Sequence, residues 1–260
     1  MNDPLLKKIW SRKGYYQRID EKENYSHPGF LEIQRQCKNT MSILDVGSGD
    51  ASKLARLGSE QTSKVGSDLS LTGMRIGKKK YPQTQFVVSD AGTLPFKNNI
   101  FECVTSFFVL EHTQDPQRVV EEMVRVTKIN GKIFILAPNF GAPNRASPNY
   151  RGSRILKFLT GIALDARSSG KSLSWKRVIP SLSSPQEFEP DSDTTVEPYL
   201  FSLKRFIRTL PIHLVKADSY WEMELPRPKL WQRLNHWLAD LGIFPFTDWG
   251  PHLFLIMKKV

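Results

Sequence analysis

The chain has 260 residues, 40% apolar and 24% charged, which supports one substantial core or two small ones and excludes a disordered chain, a fibrous repeat or a disulfide-stapled miniature. Lysine and arginine number 37 against 26 acids, a net charge of +11 that favours phosphate-rich polymers or anionic membrane surfaces without naming either. Two cysteines, Cys37 and Cys103, fit a reducing compartment, and the histidines at 27, 112, 213, 236 and 252 lack metal-ligand spacing, so no metal is expected.

Taken in chain order, MNDPLLKKIWSRKGYYQ lacks the apolar stretch of a secretory leader. The longest apolar runs, IFILAP at 133–138 and FFVL at 107–110, fall far short of the ~20 residues that cross a bilayer. A cytoplasmic protein, with a membrane-peripheral one as the variant, is expected. From Cys37 to Pro138, strand-like runs (SILDV, KVGSDL, QFVVSD, FECVTSF, GKIFILAP) alternate with helical ones (ASKLARLG, LTGMRIGKKKY, PQRVVEEMVRVTK). Alternation of this kind predicts an α/β fold, a Rossmann-like doubly wound sheet with helices on both faces. Its ligand crevice belongs beyond the carboxyl ends of the strands. Gly58, Pro82, Asp115-Pro116 and Asn130-Gly131 mark helix boundaries.

Past Pro138 the pattern changes. Residues 151–180 carry seven basic and one acidic side chain, whereas 181–198 carry five acidic and none basic, which reads as a partly mobile insertion. Within it, Ile155, Leu156, Phe158, Leu159, Ile162 and Leu164 are mixed with Arg154, Lys157 and Arg167. That mixture suits an amphipathic helix at an anionic lipid or phosphate surface, or a lid packed on its own domain. A helix at LFSLKRFIRTL, a strand at HLVKADSY, a helix at KLWQRLNHWLADLG and a last strand at HLFLIMKK complete the sheet. The segment with Trp221, Trp231, Trp237 and Trp249 reads as core, since Leu230, Leu234, Trp237 and Leu241 share one helical face. Four regions result: an N-terminal helical cap (1–36), a ligand-binding core (37–138), an insertion or lid (139–200), and completion of the sheet (201–260).

The strongest local signal is ILDVGSGDASKLARL at 43–57: an apolar strand, a Gly-Ser-Gly turn and an amphipathic helix. Glycines at 47 and 49 let the backbone approach a nucleoside-bearing ligand, while Ser52 replaces the third glycine of a pyrophosphate cradle. Asp68 ends the next strand, 21 residues beyond Gly47, where it either accepts both hydroxyls of a ribose or caps the helix that follows Ser70. A third strand ends in Asp90. Three carboxylates thus share one rim.

LDVGSGD, the Asp68 strand end, SDAGTLPF at 89–96 and FECVTSFFVLEHTQDPQRVVEEMVRVTKINGKIFILAPN at 101–139 resemble class I S-adenosylmethionine-dependent methyltransferases. The subgroup is ubiquinone/menaquinone-biosynthesis-like, also called methyltransferase type 11, and the likeness covers about 100 residues in the right order. It implies a seven-stranded, mostly parallel sheet with a helical insertion over a cleft for S-adenosyl-L-methionine. Asp45, Gly47 and Gly49 would line the methionine end and Asp68 would bind the ribose hydroxyls, with Ser48 and Leu69 also among the cofactor-binding residues. Asp90 and Ala91 would face the adenine, and Phe107 would lie against the cofactor. The chain departs from the family pattern at Ala51, where glycine is frequent, at Glu102, where aspartate is common, and at Ile129-Asn130-Gly131.

A sulfonium methyl needs little beyond alignment with an incoming O, N or C nucleophile, and a general base is optional. His112 is the candidate base, its alternative role being structural. Tyr15 and Tyr16 either fold over the methionine end or pack in the core. The leading expectation is methylation of a small-molecule or lipid-linked acceptor, a glycan or quinone-type precursor, with peripheral contact to an anionic membrane. An RNA acceptor lacks a binding appendage in this sequence. A non-catalytic, cofactor-binding regulatory partner is the third reading.

Overall fold

The computed structural model describes residues 4–12, 14–16, 25–167, 172–173, 175–180, 191–221 and 230–260. Its strands are β1 (Ser42–Val46), β2 (Ser63–Asp68), β3 (Gln85–Val88), β4 (Phe101–Phe107), β5 (Thr127–Pro138), β6 (Ile212–Tyr220) and β7 (His252–Lys259). The helices are α1 (Pro4–Trp10), α2 (Pro28–Cys37), α3 (Leu71–Lys80), α4 (Pro116–Val126), α5 (Arg154–Arg167), α6 (Leu200–Ile207) and α7 (Leu230–Asp240).

All seven strands join one sheet in the order β3-β2-β1-β4-β5-β7-β6. Pairing is parallel from β3 to β5, and β7 runs antiparallel to both β5 and β6. The order reverses between β1 and β4, so the crevice of an open α/β sheet falls at their carboxyl ends.

Period-2 alternation along the strands divides the core in two. Leu44, Val46, Val104, Ile133, Ile135, Leu253, Leu255 and Met257 pack on one face with Val119, Met123 and Val126 of α4 and Leu203 and Phe206 of α6. Ile43, Cys103, Phe107, Phe134, Leu136, Phe254 and Ile256 point the other way, onto Phe30 and Ile33 of α2 and onto Leu54 and Leu57. Strands buried on both faces have to be apolar throughout, which is why these runs lack a polar phase. Each such fully buried side chain contributes about 1.5–3 kcal/mol. Helix α4 starts where the sequence says it should: Asp115 accepts from the Arg118 N–H at 3.0 Å and Pro116 occupies the first turn.

Three expectations are corrected. The helix foreseen at ASKLARL is one short 3-10 turn, Leu54–Arg56. The chain enters it through Ala51 in the left-handed region (φ 62°) and leaves through Gly58 (φ 67°), too short a span for helix nucleation. Residues 192–198 of the acidic stretch are buried rather than solvated, with Asp193, Thr194 and Glu197 almost wholly enclosed; 181–190 lie outside the described residues. The Trp-rich segment is core only in part. Trp221 and Trp249 are buried, whereas Leu230, Trp231, Leu234, Trp237 and Leu241 are exposed. Cys37 and Cys103 are free, buried and 3.1 Å apart across α2 and β4.

Candidate functional site

The loops leaving β1, β2 and β3 build the rim. After Asp45-Val46 the chain turns through Gly47 (φ 76°) and Gly49 (φ 54°), both in backbone conformations that side chains disfavour. A Cβ on Gly47 would lie 2.3 Å from Val109 Cγ2, so the turn is also too close to the loop after β4 for a larger residue. Buried Asp45 accepts from Thr105 Oγ1 at 2.8 Å, which fixes its carboxylate across the β1–β4 boundary. Ser48 Oγ is buried with no hydrogen-bond partner.

The cap of α3 is Ser70, whose Oγ accepts from the Gly73 N–H at 3.1 Å. Asp68 is therefore released from that duty. Backbone amides clamp it instead: Gly49 N–H donates to Oδ2 at 2.8 Å and Ser70 N–H to Oδ1 at 2.7 Å. Burial raises its pKa, and the amides of Ser70, Gly49 and Leu69 oppose that rise by favouring the carboxylate. The carboxylate keeps acceptor capacity for a ligand hydroxyl. Asp90 is oriented the same way, accepting from the Gly92 N–H at 2.8 Å, and the Ser67 and Ser89 hydroxyls, 2.6 Å apart, tie the ends of β2 and β3. Ala91 is buried beneath this rim and Leu69 is half-buried beside Asp68. The Phe107 ring is buried against Phe30, with centroids 5.6 Å apart, in the core beneath α2. Val109 is the side chain that covers Gly47.

A strap from the N-terminal segment crosses this rim. Tyr16 is buried over Gly49 and Gly73, where a Cβ at 73 would meet its ring at 2.7 Å. Ser70 Oγ donates to Trp10 O at 2.6 Å and Thr72 Oγ1 to Ser11 O at 3.0 Å. Trp10 Nε1 and the Tyr15 hydroxyl both donate to Asp193 Oδ2, at 2.9 and 3.1 Å. Burial and the nearby carboxylates push both tyrosine hydroxyls upward, so they stay protonated, and that of Tyr15 donates to Asp193.

Asp193 joins this strap to the turn after β4. His112 Nδ1 lies 3.2 Å from Asp193 O and 3.5 Å from its Oδ1, while Nε2 lies 3.7 Å from Glu111 Oε1. Burial alone would lower the His112 pKa, but Asp193 and Glu111 outweigh it and the net shift is upward. Glu111 is enclosed with neither carboxylate oxygen hydrogen-bonded, and burial pushes its pKa up to about 8. Across the sheet end, His27 Nε2 and His252 Nδ1 meet at 3.1 Å beside Phe108 and Tyr220. Burial lowers these two to about 4 and about 3, so both are neutral near pH 7. Sequence reasoning missed Asp193, Trp10 and Gly73. Each acts through a partner 60 or more residues away or through a close ring contact, for which local pattern carries no signal.

A glycine turn closed to side chains, a buried unpartnered hydroxyl at Ser48 and amide-anchored carboxylates fit a nucleoside with a polar tail. Comparison with known proteins agrees. A family described as methyltransferase domain matches residues 44–135. A demethylmenaquinone methyltransferase of Renibacterium salmoninarum is 34% identical over 102 residues, covering 38% of this chain and 43% of its own length. The ubiquinone/menaquinone biosynthesis C-methyltransferase UbiE of Edwardsiella ictaluri is 30% identical over 120 residues, covering 42% and 48% respectively. The chain thus spans less than half the length of these curated relatives. In fold, the methyltransferase solved with the Haloferax volcanii Trm112 methyltransferase activator aligns over 100% of this chain and 99% of its own, with a TM-score of 0.59 at 14% identity. A TehB-like SAM-dependent methyltransferase from Corynebacterium glutamicum aligns over 99% and 100%, with a TM-score of 0.53 at 13% identity. Residues 44–135 therefore match a methyltransferase domain and are similar in sequence to quinone-biosynthesis methyltransferases, within a seven-stranded sheet of the methyltransferase fold that the rest of the chain completes.

Proposed function

We propose that the protein binds S-adenosyl-L-methionine at the β1–β3 rim and transfers its methyl group to an O, N or C nucleophile of a small or lipid-linked acceptor. The observation that carries this reading is the amide-clamped Asp68 beside the Gly47–Gly49 turn at the point where the strand order reverses. Asp68 and Leu69 hold the ribose, Asp45, Gly47, Ser48 and Gly49 the methionine end, and Asp90 and Ala91 the adenine. When bound, the cofactor supplies a methyl group already activated for in-line displacement. The chain has to align the acceptor, exclude water and take up a proton where the nucleophile carries one. The strap of Trp10, Tyr15 and Tyr16 supports the exclusion of water.

His112 is the proton acceptor in this scheme. Its Nδ1 contact with the buried Asp193 favours the imidazolium that would form. The names of the curated relatives point to a quinone-type acceptor. Calorimetric titration with S-adenosylmethionine and S-adenosylhomocysteine, with NAD as control, tests the cofactor: micromolar binding of the first two alone is expected, and binding of neither overturns the reading. Labelled-methyl transfer into lipid extracts then tests the acceptor class, with His112→Ala expected to lose turnover while keeping cofactor affinity.

A further inference from the structure

Helix α7 is built inside out. Leu230 is 84% exposed, Trp231 62% and Trp237 56%, with Leu234 also exposed, while the residue it buries is Asn235, at 1%. Neither amide atom of Asn235 has a hydrogen-bond partner. An amphipathic helix in a finished monomer does the reverse. Helix α5 repeats the feature, with Ile155 75% exposed and Leu156, Leu159 and Ile162 exposed beside it. Both helices seat on one small aromatic cluster: Phe158 of α5 packs on Trp249 with ring centroids 5.8 Å apart, Phe244 packs on Trp249 at 6.4 Å, and Ala239 of α7 lies in the same cluster. Leu241, Ile243 and Phe244, just after α7, are exposed as well, and large apolar side chains left open together mark an interaction surface.

We propose that α5, α7 and the 241–244 turn form a docking surface for a bilayer containing anionic lipid. Charge decides for lipid over a second copy of the chain. Exposed Arg151 and Arg154 stand at the start of α5, Arg233 projects from α7, and exposed Lys176 lies 4.0 Å over the Tyr150 ring, which Lys157 of α5 also contacts, against one exposed carboxylate on α7, Asp240. A symmetric pair of these faces would set arginine against arginine, whereas anionic headgroups complement them. Two exposed tryptophans suit the headgroup–acyl boundary, where an apolar ring with one polar N–H is most at home. Among the described residues no helix is long and apolar enough to cross a membrane, so the surface lies on the bilayer. The inference stands whether or not the methyl-transfer reading holds. Should both hold, α5 is tied to the site through Lys157 and Glu197 at 2.6 Å, on the same segment as Asp193.

Vesicle flotation tests it, using phosphatidylcholine with and without phosphatidylglycerol at low and high salt. Wild type is expected to float with the anionic vesicles, less so at high salt, and to shift its tryptophan emission to the blue. Trp231→Ala/Trp237→Ala should lose about tenfold or more in vesicle binding with an unchanged thermal melt and unchanged cofactor titration. Arg151→Gln/Arg154→Gln/Arg233→Gln should lose the salt-sensitive part. Absence of flotation, or flotation of the tryptophan variant equal to wild type, overturns the proposal. So does sedimentation showing a wild-type dimer that the tryptophan variant dissolves, which would make the patch a self-association face.

Discussion

From β3 to β4 the sheet is parallel and its loops are held by backbone: Gly49 and Ser70 amides clamp Asp68, and Gly47 and Ser48 amides donate to Ser67 O at 2.7 and 3.0 Å. From β5 to β6 it turns antiparallel and its loops are held by side chains. Asn139 at the end of β5 donates to Asp248 O and Gly250 O at 2.7 and 2.8 Å and accepts from the Leu200 N–H at 2.9 Å. Lys157 pairs with Glu197, and the Tyr199 hydroxyl donates to Asp165. The first half makes its surface from the absence of side chains and should resist additions. The second makes it from their pairing and should resist removals.

Gly47→Ala puts the first half to the test and has the largest expected effect. The added methyl meets Val109 at 2.3 Å in a backbone conformation that alanine disfavours, so a loss of ~3 kcal/mol or more in a urea melt is expected, with cofactor binding abolished. Adding Val109→Ala should recover part of the stability, since the dihedral strain would persist. A neutral Gly47→Ala would break the contrast. Asn139→Ala tests the second half. It strands one buried N–H and two buried carbonyls, for an expected cost of about 3 kcal/mol, while S-adenosylhomocysteine affinity in calorimetry stays near wild type.

The same division governs what could be read from sequence. The β1 to β5 alternation, the glycine turn and the Asp115-Pro116 helix start were legible because each is a local rule of periodicity, dihedral preference or capping. Ala51 illustrates the limit on the same loop. Glycine is frequent there in the resembling family, and the φ of 62° supplies the reason, yet a single sequence shows only an alanine. The ASKLARL pattern has a helical period, but the left-handed residues at 51 and 58 bracket it too tightly. On α7 the period was right and the inference from it was wrong: periodicity fixes which residues share a face, and what covers that face is tertiary. Asp193 was hidden for the opposite reason. An acidic, Ser/Pro-rich stretch reads as solvated until His112, Trp10 and Tyr15 are seen to converge on it.

Asp68→Ala sharpens the contrast at smaller scale. Two amides lose a charged acceptor and the ligand loses its hydroxyl acceptor, so cofactor affinity should fall by ~1–3 kcal/mol in calorimetry. The melting temperature should fall less than in Asn139→Ala, because the strand itself is untouched. Unchanged affinity would move the ribose site elsewhere on the rim.

The last test is a pH dependence at the seam between the two halves. Glu111 is enclosed where Thr195 and Val196 amides cross to its carbonyl oxygen, at 2.7 and 3.1 Å, and burial raises its carboxyl from 4.5 to about 8. A raised folded-state pKa means the folded chain holds a proton that the unfolded chain has released. The associated stability is therefore complete below about 4.5 and is lost as pH climbs to about 8. Glu111→Gln removes that titration. The His27–His252 pair acts with the opposite sign, gaining stability as pH rises from about 4 towards 6.5, but it is common to both proteins and cancels in their difference. The melting temperature of the variant minus that of wild type should then grow through the neutral range, by several degrees at its alkaline end, and level off above. A difference that stays flat would mean Glu111 ionises as an ordinary surface carboxylate, so that water reaches the turn between β4 and the Asp193 segment and the seam is open.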